Sequence, residues 1–578
     1  MNKLHTTEVN VQVIISLLKA HGIRKVIASP GATNITFVGS IQKDPFFTVY
    51  SSVDERSAAY MACGLAEESG EPVVLSCTGA TASRNYVPGL TEAYYRKLPV
   101  LAVTSTQPIS RVGHHIAQVI DRSSLQNDIV KLSVLLPFVK DEDDLWDCEI
   151  KVNQAILELK RNGGGPVHIN LPTNYTLPFV NKLMPKYRVI DRIQGTDSLP
   201  PLLGKIAIFV GSHKKWTSSE VQTVENFCST NNAVVFCDHT SSYKGKYRLL
   251  FSLVAAQELL DKSEYKPDIL IHIGEVSGDY SSATIVGEEV WRVSEDGEIR
   301  DTFRKLRYVF EMSEEKFFTE YSGGTQRDDS YFEACSTALD KIRQNIPELP
   351  FSNIWVASEL SGNIPNNSVV HFGILNTLRS WNFFEVPSSV TTASNVGGFG
   401  IDGVLSSLVG ASLDKSNKLF FCILGDLAFF YDMNILGNRH LGNNLRILII
   451  NNGKGTEFKQ YNHHAAYFKD EADDFMAAAD HFGKKSPTLV KNYAENLGFE
   501  YLTASNKEDF KSVYERFISL DVTSKPMLFE IFTDSKEESD ALKVIQTIEK
   551  DNKSKLKSIT KKILGKNGIS LAKKILKS

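Results

Sequence analysis

The chain has 578 residues, of which 42% are hydrophobic and 23% charged, and a formal net charge of −4 at pH 7. These are ordinary values for a globular protein, which excludes a disordered, collagen-like or coiled-coil chain, and the length allows about three to five domains. No apolar run reaches the ~18–20 residues that a membrane-spanning helix needs.

Residues 1–185 alternate helical patterns with short apolar runs. Val9–His21 has apolar residues at helical spacing, and strands are predicted at Val26–Ser29, Val73–Cys77, Val100–Thr104 and Val167–Leu171. This βαβ rhythm predicts a parallel sheet whose working loops lie at the carboxyl ends of its strands.

Residues 186–345 repeat this rhythm more weakly, and residues 346–535 form a third α/β unit. The middle segment contains no GxGxxG, so a spacer domain without a dinucleotide site is expected there. The predicted fold class is therefore α/β, with three doubly wound parallel-sheet domains. The predicted strands are Ile206–Gly211, Val234–Asp238 and Ile269–Gly274 in the middle segment, and Val369–Phe372, Leu419–Leu424, Leu445–Ile450 and Pro526–Phe532 in the third.

Residues 536–578 form a predicted lysine-rich helical tail. Residues 552–578 hold nine lysines and no acid, with apolar residues at helical spacing on the opposite face. The rest of the chain is net acidic, so a nucleic-acid partner is not expected. Three interpretations stay open for the tail, namely peripheral contact with the inner membrane face, docking to an acidic partner, or a solvated helix.

Seven cysteines are scattered along the chain without a CxxC pair. This spacing argues against a disulfide framework or a zinc site and favours a reducing compartment. The first residues also lack the apolar core of a signal peptide. We therefore expect a cytoplasmic protein.

Two motifs at predicted strand ends carry the chemistry. Gly425-Asp426 follows the apolar run LFFCIL, and Asn451-Asn452-Gly453 follows LRILII after a segment long enough for a helical crossover. The helix that begins after Gly425 can hold a diphosphate through its first N–H groups, and carboxylate and amide oxygens suit Mg²⁺. Taken separately, the two motifs are ordinary, because Asp426 could cap a helix and the asparagines could form a turn.

The pattern GDLAFF…NNGKG is similar to the thiamine-diphosphate (ThDP) motif of the ThDP-dependent decarboxylases and carboligases. Ser29–Gly31, Val53–Gly64 and Ser394–Gly403 resemble further segments of that family, and the similarity runs from about Val9 to Phe532. GIDG, GDLAF and DERSA resemble in particular the menaquinone-pathway carboligases, which join a 2-oxoglutarate-derived unit to isochorismate.

The resemblance implies pyrimidine-binding, central and diphosphate-binding domains, with ThDP and Mg²⁺ as cofactors. Glu55 would hydrogen-bond N1′ of the aminopyrimidine, and its apolar surroundings predict a desolvated carboxyl that can share a proton. The implied metal ligands are Asp426, Asn452 and Lys454, two side chains and a backbone carbonyl. The implied cofactor-binding residues are Gly31, Thr78, Gly79, Asn85, Ile401, Gly425, Asp426 and Leu427.

Substrate contacts are implied by two further features. His114 and His115 stand in a glycine-led loop like the paired histidines of decarboxylase relatives, and the neighbouring Gln118 resembles a loop of the menaquinone-pathway enzymes. These three are predicted catalytic residues, with surface loop histidines as the alternative. Arg379 and Asn395 are the predicted substrate-binding residues, Arg379 because arginine suits a carboxylate, with a surface arginine as the alternative.

The chain also departs from the menaquinone-pathway pattern. Ala32-Thr33-Asn34 stands where those relatives carry Ser-Arg, and Val396 replaces an arginine before GIDG. Two arginines expected to hold the substrate's carboxylates are therefore missing. We expect an acceptor with fewer negative groups or a different donor, and not the menaquinone enzyme itself.

The predicted function is decarboxylation of a 2-oxo acid with transfer of the acyl-anion equivalent to an unidentified acceptor. The alternatives are a simple decarboxylase that releases an aldehyde and a non-catalytic scaffold with the same fold. In the family, cofactor sites form between the first domain of one subunit and the third of another. We therefore expect a homodimer or a homotetramer.

Overall fold

The computed structural model describes residues 4–122, 124–175, 177, 179–324, 328–414 and 417–549. These residues divide into two compact units. The first holds the described residues up to Asp197 together with Gly297–Glu311, and the second holds Ser198–Asp296 and the described residues from Met312 onward.

The first unit is built on a six-stranded parallel sheet in the order β2-β1-β3-β4-β6-β5. Its strands are β1 (Lys25–Ala28), β2 (Thr48–Ser51), β3 (Val73–Cys77), β4 (Val100–Thr106), β5 (Leu132–Leu135) and β6 (Val167–Pro172). Its helices are α1 (Val9–Ala20), α2 (Ile35–Ile41), α3 (Glu55–Ser69), α4 (Thr81–Asn85), α5 (Val87–Tyr95) and α6 (Glu142–Glu158).

Both faces of this sheet are buried. Along β3, Val74 packs into one core cluster while Val73 and Leu75 pack into the other. Along β4, Leu101 and Val103 alternate with their neighbours in the same way. Strands covered on both faces need continuous apolar runs, which is why these segments were recognisable from sequence.

The second unit contains two further parallel sheets. In its first sheet the order is β10-β9-β8-β11-β12. The strands are β8 (Ile206–Val210), β9 (Ala233–Cys237), β10 (Arg248–Leu249), β11 (Ile269–Ile273) and β12 (Glu289–Val293), and the helices are α7 (Ser218–Asn231), α8 (Ser252–Ala255), α9 (Glu314–Glu320) and α10 (Ser330–Gln344). In the first unit, β7 (Asp191–Ile193) pairs in parallel with β13 (Leu306–Phe310).

The last sheet has six parallel strands in the order β15-β14-β16-β17-β19-β18. They are β14 (Val369–Phe372), β15 (Thr391–Ala393), β16 (Phe420–Gly425), β17 (Leu445–Asn451), β18 (Glu500–Ala504) and β19 (Met527–Phe532). The helices are α11 (Asn353–Leu360), α12 (Asn376–Trp381), α13 (Val404–Ser412), α14 (Asp426–Asp432), α15 (Ala472–Phe475), α16 (Leu489–Asn496), α17 (Lys507–Phe517) and α18 (Ser535–Gln546).

The predicted α/β class with parallel sheets is confirmed, and every predicted strand is present within two residues of its expected ends. Most of the strands that the sequence analysis missed are short and lie at sheet edges. An edge strand packs less apolar surface, so its sequence carries a weaker signal. These missed edge strands are β2, β5, β7, β10, β15 and β18.

Helix α18 packs into the second unit. Ala541 and Ile545 are fully buried, and the Gln257 amide donates to the carbonyl of Ile545. The predicted tail 536–578 thus begins inside this helix, and its lysine-rich part from 550 lies outside the described residues. None of the helices in the described ranges combines the length and apolar character that crossing a bilayer requires.

Candidate functional site

The two predicted strand-end motifs lie side by side. β16 and β17 are neighbours, and Gly425 pairs with Ile450 in the register. Asp426, the first residue of α14, is buried, with its Oδ1 accepting from the Leu427 amide at 2.9 Å and its Oδ2 from the Gly453 amide at 2.7 Å. Burial raises the pKa of Asp426 to about 6.

A tight turn follows β17 at the same edge of the sheet. Gly453 has a φ of +76°, a conformation that glycine adopts without strain. Its amide also contacts Asn451 Oδ1 at 3.2 Å, while the Asn451 amide group donates to Glu530 at 2.6 Å. The turn leaves Asn452 beside Asp426 on the cavity wall.

A cavity of about 240 Å³ opens at this edge. Of the predicted residues, Ile401, Gly425, Asp426, Leu427, Asn452 and Lys454 line it. Three buried oxygens in the lining have no hydrogen-bond partner within the described residues: Asn452 Oδ1, Asn353 Oδ1 and Thr456 Oγ1. Buried polar atoms are normally paired. The Asn452 oxygen fits a divalent metal ion, and the Thr456 hydroxyl can donate to a diphosphate oxygen.

The metal ligands implied by the resemblance differ in what they offer. The Asp426 carboxylate and Asn452 Oδ1 are hard oxygen donors of the kind that Mg²⁺ prefers. The Lys454 ammonium has no lone pair to offer a metal and forms an ion pair with Asp473 at 2.6 Å, so only the backbone carbonyl of Lys454 could serve as a ligand.

Sequence reasoning missed Glu538, which also lines the cavity. It is 4% exposed, and burial raises its pKa to about 7. Its carboxylate accepts from the Asn353 amide at 2.9 Å and from Thr533 Oγ1 at 2.7 Å. The sequence did offer one indication of Glu538. It lies in the helix that follows β19, and β19 ends at the same sheet edge as β17.

Neither predicted substrate-binding residue lines this cavity. Arg379 lies in the wall of a neighbouring cavity that shares Glu457 with it. The Arg379 guanidinium pairs with the Glu457 carboxylate and stacks on Tyr280, 4.8 Å from the ring centroid. Asn395 Oδ1 accepts from Ser407 at 3.1 Å.

Three predicted residues of the first unit meet around Thr33. Its hydroxyl lies 2.6 Å from Thr78 Oγ1, donates to the Ser105 carbonyl at 2.8 Å and accepts from the Gly79 amide at 3.4 Å. A Cβ on Gly31 would lie 2.5 Å from Thr78 Cβ. Glycine therefore allows the turn after β1 to lie directly on the turn after β3.

Glu55 begins α3, and Asn85 Nδ2 donates to its Oε2 at 3.3 Å. The Glu55 side chain is partly buried, and the desolvation expected for its carboxyl stays a prediction. Two apolar residues near Glu55 in sequence are themselves exposed. Val53 is 80% exposed and Tyr60 48% exposed.

His114, His115 and Gln118 lie in the loop that follows β4, and all three are exposed. His115 and Gln118 have φ values of +55° and +65°, which are sparsely populated for residues with a side chain. In the described part of the chain, no side-chain hydrogen bond orients them. The loop begins at the strand end where Gly79 approaches Ser105.

Comparison with known proteins shows the family to which the chain belongs. A family profile described as "Thiamine pyrophosphate enzyme, N-terminal TPP binding domain" matches residues 10–125. The 2-succinyl-5-enolpyruvyl-6-hydroxy-3-cyclohexene-1-carboxylate synthase of Phocaeicola vulgatus is 30% identical over 565 residues, which cover 93% of this chain and 98% of that protein. This chain belongs to the thiamine pyrophosphate enzymes.

Other relatives carry the same name. The synthase of Bacteroides thetaiotaomicron is 30% identical over 562 residues, with 93% of this chain and 98% of that protein covered. The synthase of Flavobacterium psychrophilum is 27% identical over 558 residues, which cover 91% of this chain and 96% of that protein. Family membership confirms ThDP as the cofactor and the prediction of a ThDP-dependent 2-oxo acid decarboxylase or carboligase.

Proposed function

We propose that this protein decarboxylates a 2-oxo acid and joins the resulting acyl-anion equivalent to a second substrate. The observation that carries the proposal is the Asp426 carboxylate, held by the Leu427 and Gly453 amides at the end of two adjacent strands. ThDP bound there would supply the electron sink for the electron pair left when CO₂ departs.

Mg²⁺ is the proposed metal at this edge of the sheet. Asp426, Asn452 and the backbone carbonyl of Lys454 would hold it, and the unpartnered Asn452 Oδ1 supports this assignment. The amide groups at the start of α14 would orient the diphosphate. Ile401 and Leu427, on the same cavity wall, would exclude water from the reacting end of the cofactor.

Glu55 is the proposed proton-handling group, with Asn85 as its positioning residue. The 3.3 Å hydrogen bond from Asn85 fixes one carboxylate oxygen and leaves the other oxygen to hold a proton for the cofactor's pyrimidine ring. Gly31, Thr78 and Gly79 would lie against that ring, since they form the close-packed turns beside Thr33.

A homodimer or homotetramer is the proposed functional unit, with Glu55 of one subunit serving Asp426 of another. Support comes from the apolar residues that α3 and α5 leave in solvent, Tyr60, Met61 and Tyr95, the last 69% exposed. Large exposed apolar groups in one area are typical of an interaction surface. Covering them with a second copy would bury Glu55 further.

The exposed loop 113–118 would complete the substrate side of the site. The ring nitrogens of His114 and His115 can donate or accept hydrogen bonds, and the Gln118 amide can donate one to a substrate oxygen. The positive φ values of His115 and Gln118 support a functional loop, because such conformations persist where the surroundings demand them.

The donor and acceptor differ, in this proposal, from those of the menaquinone-pathway carboligases. Val396 and the segment Ala32–Asn34 replace the two arginines that the resemblance leads us to expect. Arg379, paired with Glu457, and Asn395 are the proposed substrate contacts. Efficient condensation of 2-oxoglutarate with isochorismate would contradict this part of the proposal.

Calorimetry and CO₂ release test the enzyme proposal. The full-length protein should bind ThDP in the presence of Mg²⁺ and release CO₂ from at least one acid in a panel of 2-oxo acids. Glu55→Gln should reduce turnover by roughly 10²–10⁴-fold, whereas Glu67→Gln, on the exposed side of the same helix, should not. Binding without turnover across all donor and acceptor pairs would favour a scaffold.

A second candidate function is simple decarboxylation, and the pair His114 and His115 supports it. Product analysis separates the two functions, since a carboligase yields a two-substrate adduct and a simple decarboxylase yields an aldehyde. If aldehyde is the only product with every acceptor offered, carboligation is wrong.

Cytoplasmic location and a membrane or acidic partner for the lysine-rich tail are further proposals, supported by the sequence composition alone. Sedimentation with vesicles containing anionic lipid, comparing the full chain with a version lacking residues 552–578, tests the membrane contact. Equal sedimentation of the two proteins would exclude it.

A further inference from the structure

A second cavity, of about 350 Å³, lies in the first unit. It is within the range of small-molecule sites, roughly 300–1,000 Å³. None of the predicted cofactor or catalytic residues is in its lining. We call it the Arg122 cavity, and its wall includes Ser83, Arg84, Leu90, Arg122, Leu125 and Ile129.

Arg122 is the buried charge of this cavity, with 7% of its surface exposed. Its Nη1 donates to Thr104 Oγ1 and its Nη2 to Asn170 Oδ1, both at 2.6 Å. Burial lowers the pKa of Arg122 to about 10, so the guanidinium is still positive at neutral pH. Within the described ranges, no carboxylate forms an ion pair with it.

The neighbours of Arg122 do not supply the missing negative charge. His168 bonds to Thr104 through Nε2 at 2.7 Å and to Ser133 through Nδ1 at 2.8 Å, and burial lowers the pKa of His168 to about 3. It is therefore neutral. Asp121 is also in the lining, but its side chain is exposed to solvent.

An uncompensated buried cation is unfavourable, and an anion beside it removes most of that penalty. The rest of the wall is apolar near Leu90, Leu125 and Ile129, and Ser83 adds a hydroxyl. We propose that the Arg122 cavity binds a small carboxylate ligand, with the carboxylate on Arg122 and an apolar body against these side chains.

Titration calorimetry of the full-length protein with hexanoate and benzoate tests this proposal. Both should bind saturably, and the neutral analogues hexanamide and benzamide should bind much more weakly. Arg122→Met should weaken binding roughly ten- to a hundredfold, as expected for a lost hydrogen-bonded charge. Arg24→Met, an exposed arginine of the same unit, is the matched control and should leave binding unchanged.

Leu125→Trp fills part of the cavity with a larger side chain and leaves Arg122 in place. It should also abolish binding, which keeps the proposal falsifiable if Arg122→Met does not fold. Competition by the donor acid found in turnover would assign the cavity to a substrate, and simultaneous binding would assign it to a separate ligand. Either result upholds the carboxylate site. No saturable binding of either carboxylate, or equal binding by wild type and Arg122→Met, would overturn it.

Discussion

Asp426 and Gly453 are joined by a hydrogen bond of 2.7 Å from the glycine amide to the aspartate Oδ2. The bond ties the start of α14 to the turn after β17, so that two motifs distant in sequence share one cavity wall. The geometry explains why the two motifs have chemical meaning only together.

Replacing this carboxylate should weaken cofactor binding. Asp426→Asn removes the negative charge and turns one acceptor into a donor that faces an amide. We expect ThDP affinity in the presence of Mg²⁺ to fall at least about tenfold, a loss typical of disrupted metal sites. Calorimetry measures this, with the exposed Asp540→Asn as control. Unchanged affinity in Asp426→Asn would contradict the assignment.

Glu538 should make stability depend on pH. Its carboxyl has a folded-state pKa of about 7, above the ordinary 4.5, so the folded chain binds more protons between these pH values. The free energy of unfolding contributed by this group should therefore fall as pH rises from about 4.5 to about 7. As pH rises over that range, the free energy of unfolding of Glu538→Gln should increase relative to that of wild type, by at most about 3 kcal/mol.

Denaturant unfolding at pH 5, 6, 7 and 8 measures this difference. Glu537→Gln, at the exposed neighbouring position, should follow wild type at every pH. A constant difference between Glu538→Gln and wild type across the range would show that the carboxyl does not titrate there.

Two glycine substitutions should change the stability of the fold in opposite directions, Gly31→Ala lowering it and Gly64→Ala raising it. Gly31→Ala places a Cβ 2.5 Å from Thr78 Cβ, so we expect a loss of about 1–3 kcal/mol in the free energy of unfolding. Gly64, inside α3, has no atom within 4 Å of an added Cβ, so Gly64→Ala should gain about 0.5–1 kcal/mol. Denaturant unfolding measures both, and a stable Gly31→Ala would disprove the close approach.

Mixing two inactive variants tests whether the site forms between subunits. Glu55→Gln and Asp426→Asn each damage every site of a homodimer. After subunit exchange, half of the dimers are mixed, and each mixed dimer has one intact site, so about a quarter of wild-type activity should return. Mass spectrometry shows whether subunits have exchanged. If the exchanged mixture stays inactive, Glu55 and Asp426 contribute to a site from the same subunit.

Arg379 should act on substrate affinity. Arg379→Met removes the charge that stacks on Tyr280 and pairs with Glu457. If Arg379 binds the donor carboxylate, KM for that donor should rise roughly ten- to a hundredfold, with a smaller change in kcat. Glu457→Gln releases the same ion pair but keeps the arginine, so it should not raise KM. Equal effects of the two variants would indicate a structural ion pair.

The strand-end motifs could be read from sequence because parallel sheets bring the carboxyl ends of neighbouring strands to one edge. Asp426 and Asn452 were found in this way, and the structure places both on one cavity wall. Glu538 was missed because a helix-borne glutamate in a charged segment looks like a solvated residue until its burial is known.

The burial of Arg122 is likewise invisible in the sequence. In sequence it is an arginine among polar residues, and only the fold reveals that Thr104 and Asn170, from two different strands, enclose its guanidinium. Val53 and Tyr60 show a related limit, because both are apolar neighbours of Glu55 in sequence and both are exposed in the structure.

The sequence by itself determined the parallel α/β architecture, the positions of its principal strands and the two strand-end motifs that are proposed to hold the cofactor. Apolar periodicity and glycine-containing strand ends are local properties, so they can be read without coordinates. The tertiary structure decided which charges are buried, which arginine has a carboxylate partner and where cavities open. Those properties depend on packing between segments distant in the chain, and no local pattern contains them.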